Sequence, residues 1–396
     1  MGTHAENLEK KESLLSSHEY LILCLICLFL SLGQFLCSTL IPKYADTLNA
    51  TATTIGFLSS VFAVPSLVCK PFIAPAEDSF NKRNILFVGV VLVFISLCGY
   101  AFSKSVESLF VFRVIHGFAS GVTSVTSLAM LSESLSEKLF TTGIMYYSIV
   151  QAFAAAVGPG TGIALADVVG YSGTFLIGAG MMAVPVFFLL RWKSTQESER
   201  KPYKLSLSTI IAKEVVPTAL MTLCLSAVYV SISSFLVLYA ESINVSGIGL
   251  FFTIHAGALL ISRPLIVKVS HKMGAVNVTI LSILLFAAGM VLISYSTNLT
   301  MFIIAAILVA CGYGACIPLL QAICLKFVPP ERRGSASATS YYGTDLGYII
   351  APAISGFAVD WLGYAAMFRL MNVFLVLALA ILLLTRKKFE EFEAVK

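Results

Sequence analysis

The sequence predicts an all-α membrane protein: twelve transmembrane helices in two pseudo-symmetric six-helix bundles around a central cavity. Three observations carry this: an apolar composition, a one-sided distribution of basic residues, and a repeat with a constant offset. Of 396 residues, 58% are hydrophobic and only 12% charged, and the mean hydropathy is +0.90. Soluble domains carry roughly 45–50% apolar and about 25% charged residues. A soluble fold of this length has no interior large enough for so much apolar surface, so lipid must be the solvent. A bilayer core about 30 Å thick takes about 20 apolar residues per helix, which leaves room for twelve spans. Barrel strands would show short alternating segments instead of long apolar runs.

The spans read as 20–41, 53–74, 84–103, 106–131, 139–166, 171–191, 215–240, 247–267, 275–296, 299–325, 334–359 and 364–385. With the chain starting inside, only Lys43 and Lys104 fall on the outer side. Arg113 and Arg369 lie within spans, Arg369 peripherally, and the other 22 of the 26 Lys and Arg residues (26 − 4) lie on or near the inner side. This asymmetry orients both termini to the cytoplasm. It also accounts for the net charge of +5 without nucleic acid. Residues 1–19 form an N-terminal tail, and the first span serves as its own insertion signal. The bundles occupy 20–191 and 215–385, joined by a basic linker at 192–214 and followed by a tail at 386–396. The nine cysteines sit in or beside spans, which excludes a disulfide framework. Cys24 and Cys27, within an apolar helix, are not a metal site.

The repeat rests on single positions. Pro71 and Pro264 differ by 193 (264 − 71), as do Ile55-Gly56 and Ile248-Gly249, Pro159 and Pro352, Asp167 and Asp360, Gly170-Tyr171 and Gly363-Tyr364, and Phe175 and Phe368. Lys70 and Arg263, each before its proline, obey the same offset. The first span needs a two-residue gap, because Tyr44-Ala45 and Tyr239-Ala240 differ by 195. Prolines and glycines set kinks and close contacts in membrane helices, so their recurrence copies backbone geometry.

The loop after span 2 reads KPFIAPAEDSFNKRNIL, with Lys70, Pro71, Asp78, Lys82 and Arg83. Its second copy keeps Arg263, Pro264 and Gly274 but carries His271 at the aspartate position. Span 4 holds RVIHGFASG and span 5 holds GPGTG, with Gly158, Pro159 and Gly162. On these motifs, over essentially its whole length, the chain resembles the major facilitator superfamily, and within it the drug and metabolite exporters coupled to protons. Ala74 and Asn81 depart from the family's glycines in the first loop. The resemblance implies that Lys70, Asp78, Lys82, Arg83, Arg263 and His271 form a cytoplasmic gate between the halves. It also implies that the span 5 glycines form an antiporter-type kink, although an ordinary Pro-Gly kink gives the same pattern.

Ionisable groups deep in a membrane are expensive and are functional candidates by default. Asp345 stands near the middle of span 11, as a proton carrier or as a permanently paired structural acid. Arg113 has no acid on its own helix; it finds a partner elsewhere, with Asp345 one option, or binds an anionic substrate group. His116 and His255 are proton-relay candidates or hydrogen-bonded core residues. Gln34, Tyr229, Gln321 and Tyr342, with Arg113 and His255, are candidates for the substrate cavity, or else packing groups.

The function expected is proton-coupled export of a small molecule by alternating access. A proton symporter or facilitator for nutrient uptake has the same fold, and a lipid flippase is the third reading. No nucleophile triad, metal cluster or phosphate loop points to an enzyme or a cofactor. The partners expected are a small-molecule substrate, protons and lipid in the cell membrane, with the chain acting as a monomer.

Overall fold

The computed structural model describes residues 18–135, 140–192, 212–328 and 333–394, and no strand occurs among them. Nine helical segments among the described residues are long and apolar enough to cross a membrane by length and composition. One of them, Ile149–Arg191, is two spans. The continuous helix Phe140–Met181 is broken at Gly170, whose φ of 74° is open to glycine but strained for other residues. Gly249–Met273 and Arg333–Leu362 complete the twelve as spans 8 and 11.

Span 2 runs from Ala52 to Ser79, through Pro65, Pro71 and Pro75, five residues beyond its expected end (79 − 74). Each proline forfeits one backbone bond, which a helix packed among others tolerates. Residues 75–79, expected beyond the span, are therefore helix, and Lys70, a member of the loop motif that falls inside the expected span, lies on the body of span 2. Asn81, at one of the glycine positions, caps the next helix by accepting from the Arg83 amide at 3.0 Å. Its repeat mate Gly274 reaches the same turn with a φ of 79°.

The repeat extends to such caps. Ser105 accepts from the Ser108 amide at 3.3 Å and starts span 4. Asn298, 193 residues on, accepts from the Met301 amide at 3.1 Å and starts span 10. Spans 1 and 7 both end on a left-handed asparagine, Asn49 at φ 61° and Asn244 at φ 58°, related by the offset of 195 (244 − 49). An asparagine tolerates that conformation better than most residues.

Two seams join the halves. Span 2 lies along span 11, and span 5 along span 8. In the first seam a Cβ on Gly56 would run into the Pro352 carbonyl, and one on Gly356 would meet the Ala52 carbonyl. In the second, a Cβ on Gly160 would stand 2.9 Å from Thr253 Oγ1 and 3.1 Å from the Gly249 carbonyl. The repeat relates Gly56 to Gly249 and Pro352 to Pro159, so the two crossings are copies of one contact. Both lie toward the face opposite the one where His18 and Arg191 line a common cleft. Replacing Gly56 with leucine is expected to wedge the first seam open on that face and lower the apparent Tm of purified protein. Gly257, whose Cβ would meet nothing within 4 Å, is the control, and its replacement with alanine should leave Tm unchanged.

Candidate functional site

The first seam carries a charge pair. Lys70 Nζ donates to Asp345 Oδ2 at 2.6 Å, and their side chains are 24% and 16% exposed. Lys70 lies 18 residues from the start of span 2 (70 − 52), about 27 Å along the helix, and Asp345 lies 15 residues from Asp360, about 22 Å. Asp345 therefore sits near the middle of span 11 and Lys70 about two-thirds of the way along span 2, both partly shielded from water, where unpaired charge is costly. Asp345 is not paired with Arg113. Its counter-charge is a lysine that sequence reasoning assigns to a loop gate. Lys70 sits within the span 2 helix, and only a fold that lays span 2 on span 11 brings the two groups together. By the repeat, Lys70 corresponds to Arg263 and Asp345 to Ala152 (345 − 193). The second seam thus has no acid at the matching position.

At the face away from His18 and Arg191, Asp360 closes the same seam. Its Oδ1 accepts from the Ala52 amide at 3.1 Å and its Oδ2 from the Thr53 amide at 2.9 Å. These amides open span 2 and have no partner within the helix, so a carboxylate from the other half caps it and meets its dipole. Lys43 adds a second link, 2.7 Å from Glu241 across the halves and 4.0 Å from Asp167 in its own half.

Arg113 is buried. Its Nε donates to the Leu58 carbonyl at 3.2 Å, and its guanidinium lies 4.5 Å over the Phe62 ring. It ties span 4 to span 2 inside the first half. His116 Nδ1 meets the Tyr100 hydroxyl at 3.1 Å, and its ring packs edge-on against Phe62 at 5.2 Å. His255 Nδ1 faces the Ala306 carbonyl at 3.3 Å, so that nitrogen carries the proton. The Nε2 atoms of both histidines are buried without a protein partner.

The repeat explains this arrangement. His255 stands where Phe62 does (255 − 193), and Ala306 where Arg113 does (306 − 193). In the first half the donor is on span 4 and the carbonyl on span 2. In the second half the donor is on span 8 and the carbonyl on span 10, so the tie is kept with its polarity reversed.

Lys82 and Arg83 bond within the first half. Lys82 meets Glu133 at 2.5 Å, and Arg83 donates to the Leu189 and Leu190 carbonyls at 2.6 and 3.0 Å. The side chains of Asp78, Arg263 and His271 lie outside the described residues. Gly158 and Gly162 let span 5 close on Phe35 and Leu36 of span 1. Gly160, between them and not singled out in the sequence, is the glycine that touches the other half.

Of the cavity candidates, Tyr229 stacks on Tyr313 with centroids 4.2 Å apart and an interplanar angle of 2°, and it lies 5.6 Å from His255. Tyr348, three residues after Asp345 on span 11, adjoins Tyr313. Gln321 neighbours Tyr341, and Tyr342 neighbours Asp345. Gln34 is half-buried in span 1. Close by in that span, Ser31 donates to Gln151, which donates to the Tyr147 hydroxyl at 2.7 Å. Tyr313, Gln151 and Tyr147 are not among the sequence candidates, although each is a polar group inside an apolar run.

The Major Facilitator Superfamily profile matches residues 23–248 and 218–394. The staphylopine export protein of Staphylococcus aureus is 22% identical over 373 residues, covering 90% of this chain and 93% of its own. The quinolone resistance protein NorA of Staphylococcus aureus is 24% identical over 346 residues, covering 84% and 87%. Among solved structures, the nucleoside transporter NupG has a TM-score of 0.76 at 14% identity over 93% of this chain and 99% of its own. A bacterial homologue of the human lysosomal transporter Spinster has a TM-score of 0.77 at 14% identity, covering 95% and 98%. These structures share the fold, and the curated relatives are transporters, not enzymes. With its repeat, its two seams and a family match over nearly its whole length, this multi-pass membrane protein belongs to the Major Facilitator Superfamily.

Proposed function

We propose that this chain exports a small molecule in exchange for protons by alternating access, with Asp345 as the proton site and Lys70 as its counter-charge. The observation that carries the reading is the Lys70–Asp345 pair across the first seam. Rocking of the halves must break this pair, and a proton on Asp345 removes the attraction that resists the break. Both termini and the 192–214 linker lie on the cytoplasmic side, with the halves at 20–191 and 215–385, as the basic residues favour. The seam contacts at Gly56, Gly160 and Asp360 then close the outer side. Export is supported by the two staphylococcal relatives, a staphylopine export protein and a quinolone resistance protein. Moving one charge through 100 mV supplies about 2.3 kcal/mol to drive it.

The test uses inverted membrane vesicles acidified inside, with Asp345→Asn beside the parent protein. Substrate should drive proton release from the parent vesicles and not from the variant. Undiminished coupling in Asp345→Asn rejects the proton site. Substrate-induced alkalinisation outside intact cells would instead mark uptake by symport.

A further inference from the structure

We propose that the substrate is a zwitterion, whose anionic group takes over Lys70 and whose cationic group takes over Asp345. The inference rests on the proposed reading only in placing the substrate at this pair. Lys70 and Asp345 meet at 2.6 Å, each partly exposed, from helices of opposite halves. Once the halves separate there, both charges lose their partner together. Removing one member of a pair held away from water leaves the other uncompensated, and that residue dominates the cost. The ionisable groups beside Asp345, from both helices, are Cys69, Lys70, Tyr342 and Tyr348. The cysteine and both tyrosines are ordinarily neutral at pH 7, so among these groups Lys70 and Asp345 are the two that carry charge.

Ligand classes then sort by what they leave behind. A monocation satisfies Asp345 and leaves Lys70 to water alone. A monoanion satisfies Lys70 and strands Asp345. A neutral compound helps neither charge. A zwitterion replaces the pair on both sides and carries no net charge into the site, so the site selects it by penalising the others as well as by attracting it. The aromatic groups next to Asp345 bear on the rest of the molecule. Tyr348 adjoins Tyr313, which stacks on Tyr229 at 4.2 Å. That surface suits a flat or apolar body attached to the paired charges.

The test is a thermal-shift panel on the purified full-length chain, sorted by charge on common carbon skeletons. Phenylalanine, 2-phenylethylamine and 3-phenylpropanoate form one set, and parallel sets use tryptophan and leucine. Protecting zwitterions should bind about tenfold or more tightly than their singly charged analogues. Lys70→Gln should erase the advantage of the zwitterion over the amine, and Asp345→Asn its advantage over the carboxylate. Lys70→Arg and the exchanged pair Lys70→Asp with Asp345→Lys should keep the zwitterion preference, which separates charge recognition from a folding defect. A panel in which amines, carboxylates or neutral compounds protect as well as zwitterions, or in which no zwitterion protects, overturns the proposal. Binding is read in detergent without a gradient, whereas proton coupling is read in vesicles, so either can fail while the other stands.

Discussion

Lys70→Ala is expected to damage the protein more than removal of both members of its pair. The single change leaves Asp345 charged in the membrane interior, while Lys70→Ala with Asp345→Ala leaves nothing to compensate. Buried pairs broken on one side cost about 3–5 kcal/mol and fully exposed pairs about 0–1. With side chains 24% and 16% exposed, about 2 kcal/mol is the appropriate scale. Apparent Tm values of the parent, both single variants and the double variant should therefore close a cycle with a clear coupling term. The double variant should be more stable than Lys70→Ala. If the two losses simply add, the pair is not an energetic unit, and its role at the seam falls with it.

The second large effect is expected at Asp360. Replacing it with alanine removes two carboxylate bonds to the first amides of span 2, at 3.1 and 2.9 Å. Hydrogen bonds to charged groups contribute about 1.5–3 kcal/mol and a lost helix cap about 1 kcal/mol. Both bonds cross between the halves, so their loss acts on the rocking equilibrium, where 1.4 kcal/mol is about a tenfold shift in population. Spin labels at the exposed positions Asp46 and Trp361 should report a longer-distance population that grows in Asp360→Ala and partly returns in Asp360→Asn. Asp167→Ala is the control. Its carboxylate is 69% exposed and 4.0 Å from Lys43, so the distance distribution should stay as in the parent. Equal broadening in both variants would mean that the cap does not hold the seam.

Most of the fold was legible because a repeat encodes geometry twice. Gly170 and Gly363 mark the same break, Asn49 and Asn244 end the same helix, and the offset alone pairs Gly56 with Gly249. The site was legible only by residue. Asp345 is identifiable as an unusual acid because periodicity places it deep in span 11, but its partner lies 275 residues away (345 − 70) and is fixed by how span 2 meets span 11. The loop signature drew Lys70 to the gate although the expected span already contained it, and so its pairing with Asp345 was not legible. Arg113 misled for the opposite reason. A buried arginine suggests a charge partner, and a backbone carbonyl with an aromatic face, which the sequence does not advertise, proved sufficient. Asp360 served only as a marker of the repeat, because an acid at a helix end is ordinary until a foreign helix begins beside it.

The missing acid at Ala152 bears on how the two halves recognise each other during assembly. Two copies of the first half, arranged about the same pseudo-twofold axis, would set Lys70 against Ala152 in both seams, as the repeat already sets Arg263 in the native second seam, and so lose the one Lys70–Asp345 pair. Such self-pairing is therefore penalised by one charge, while the proper partner presents Asp345. The glycine crossings are common to both arrangements and carry no address. Self-pairing of the first half thus forgoes one charge pair, about 2 kcal/mol on the scale above, and a single acid in one seam favours the native partner by that much.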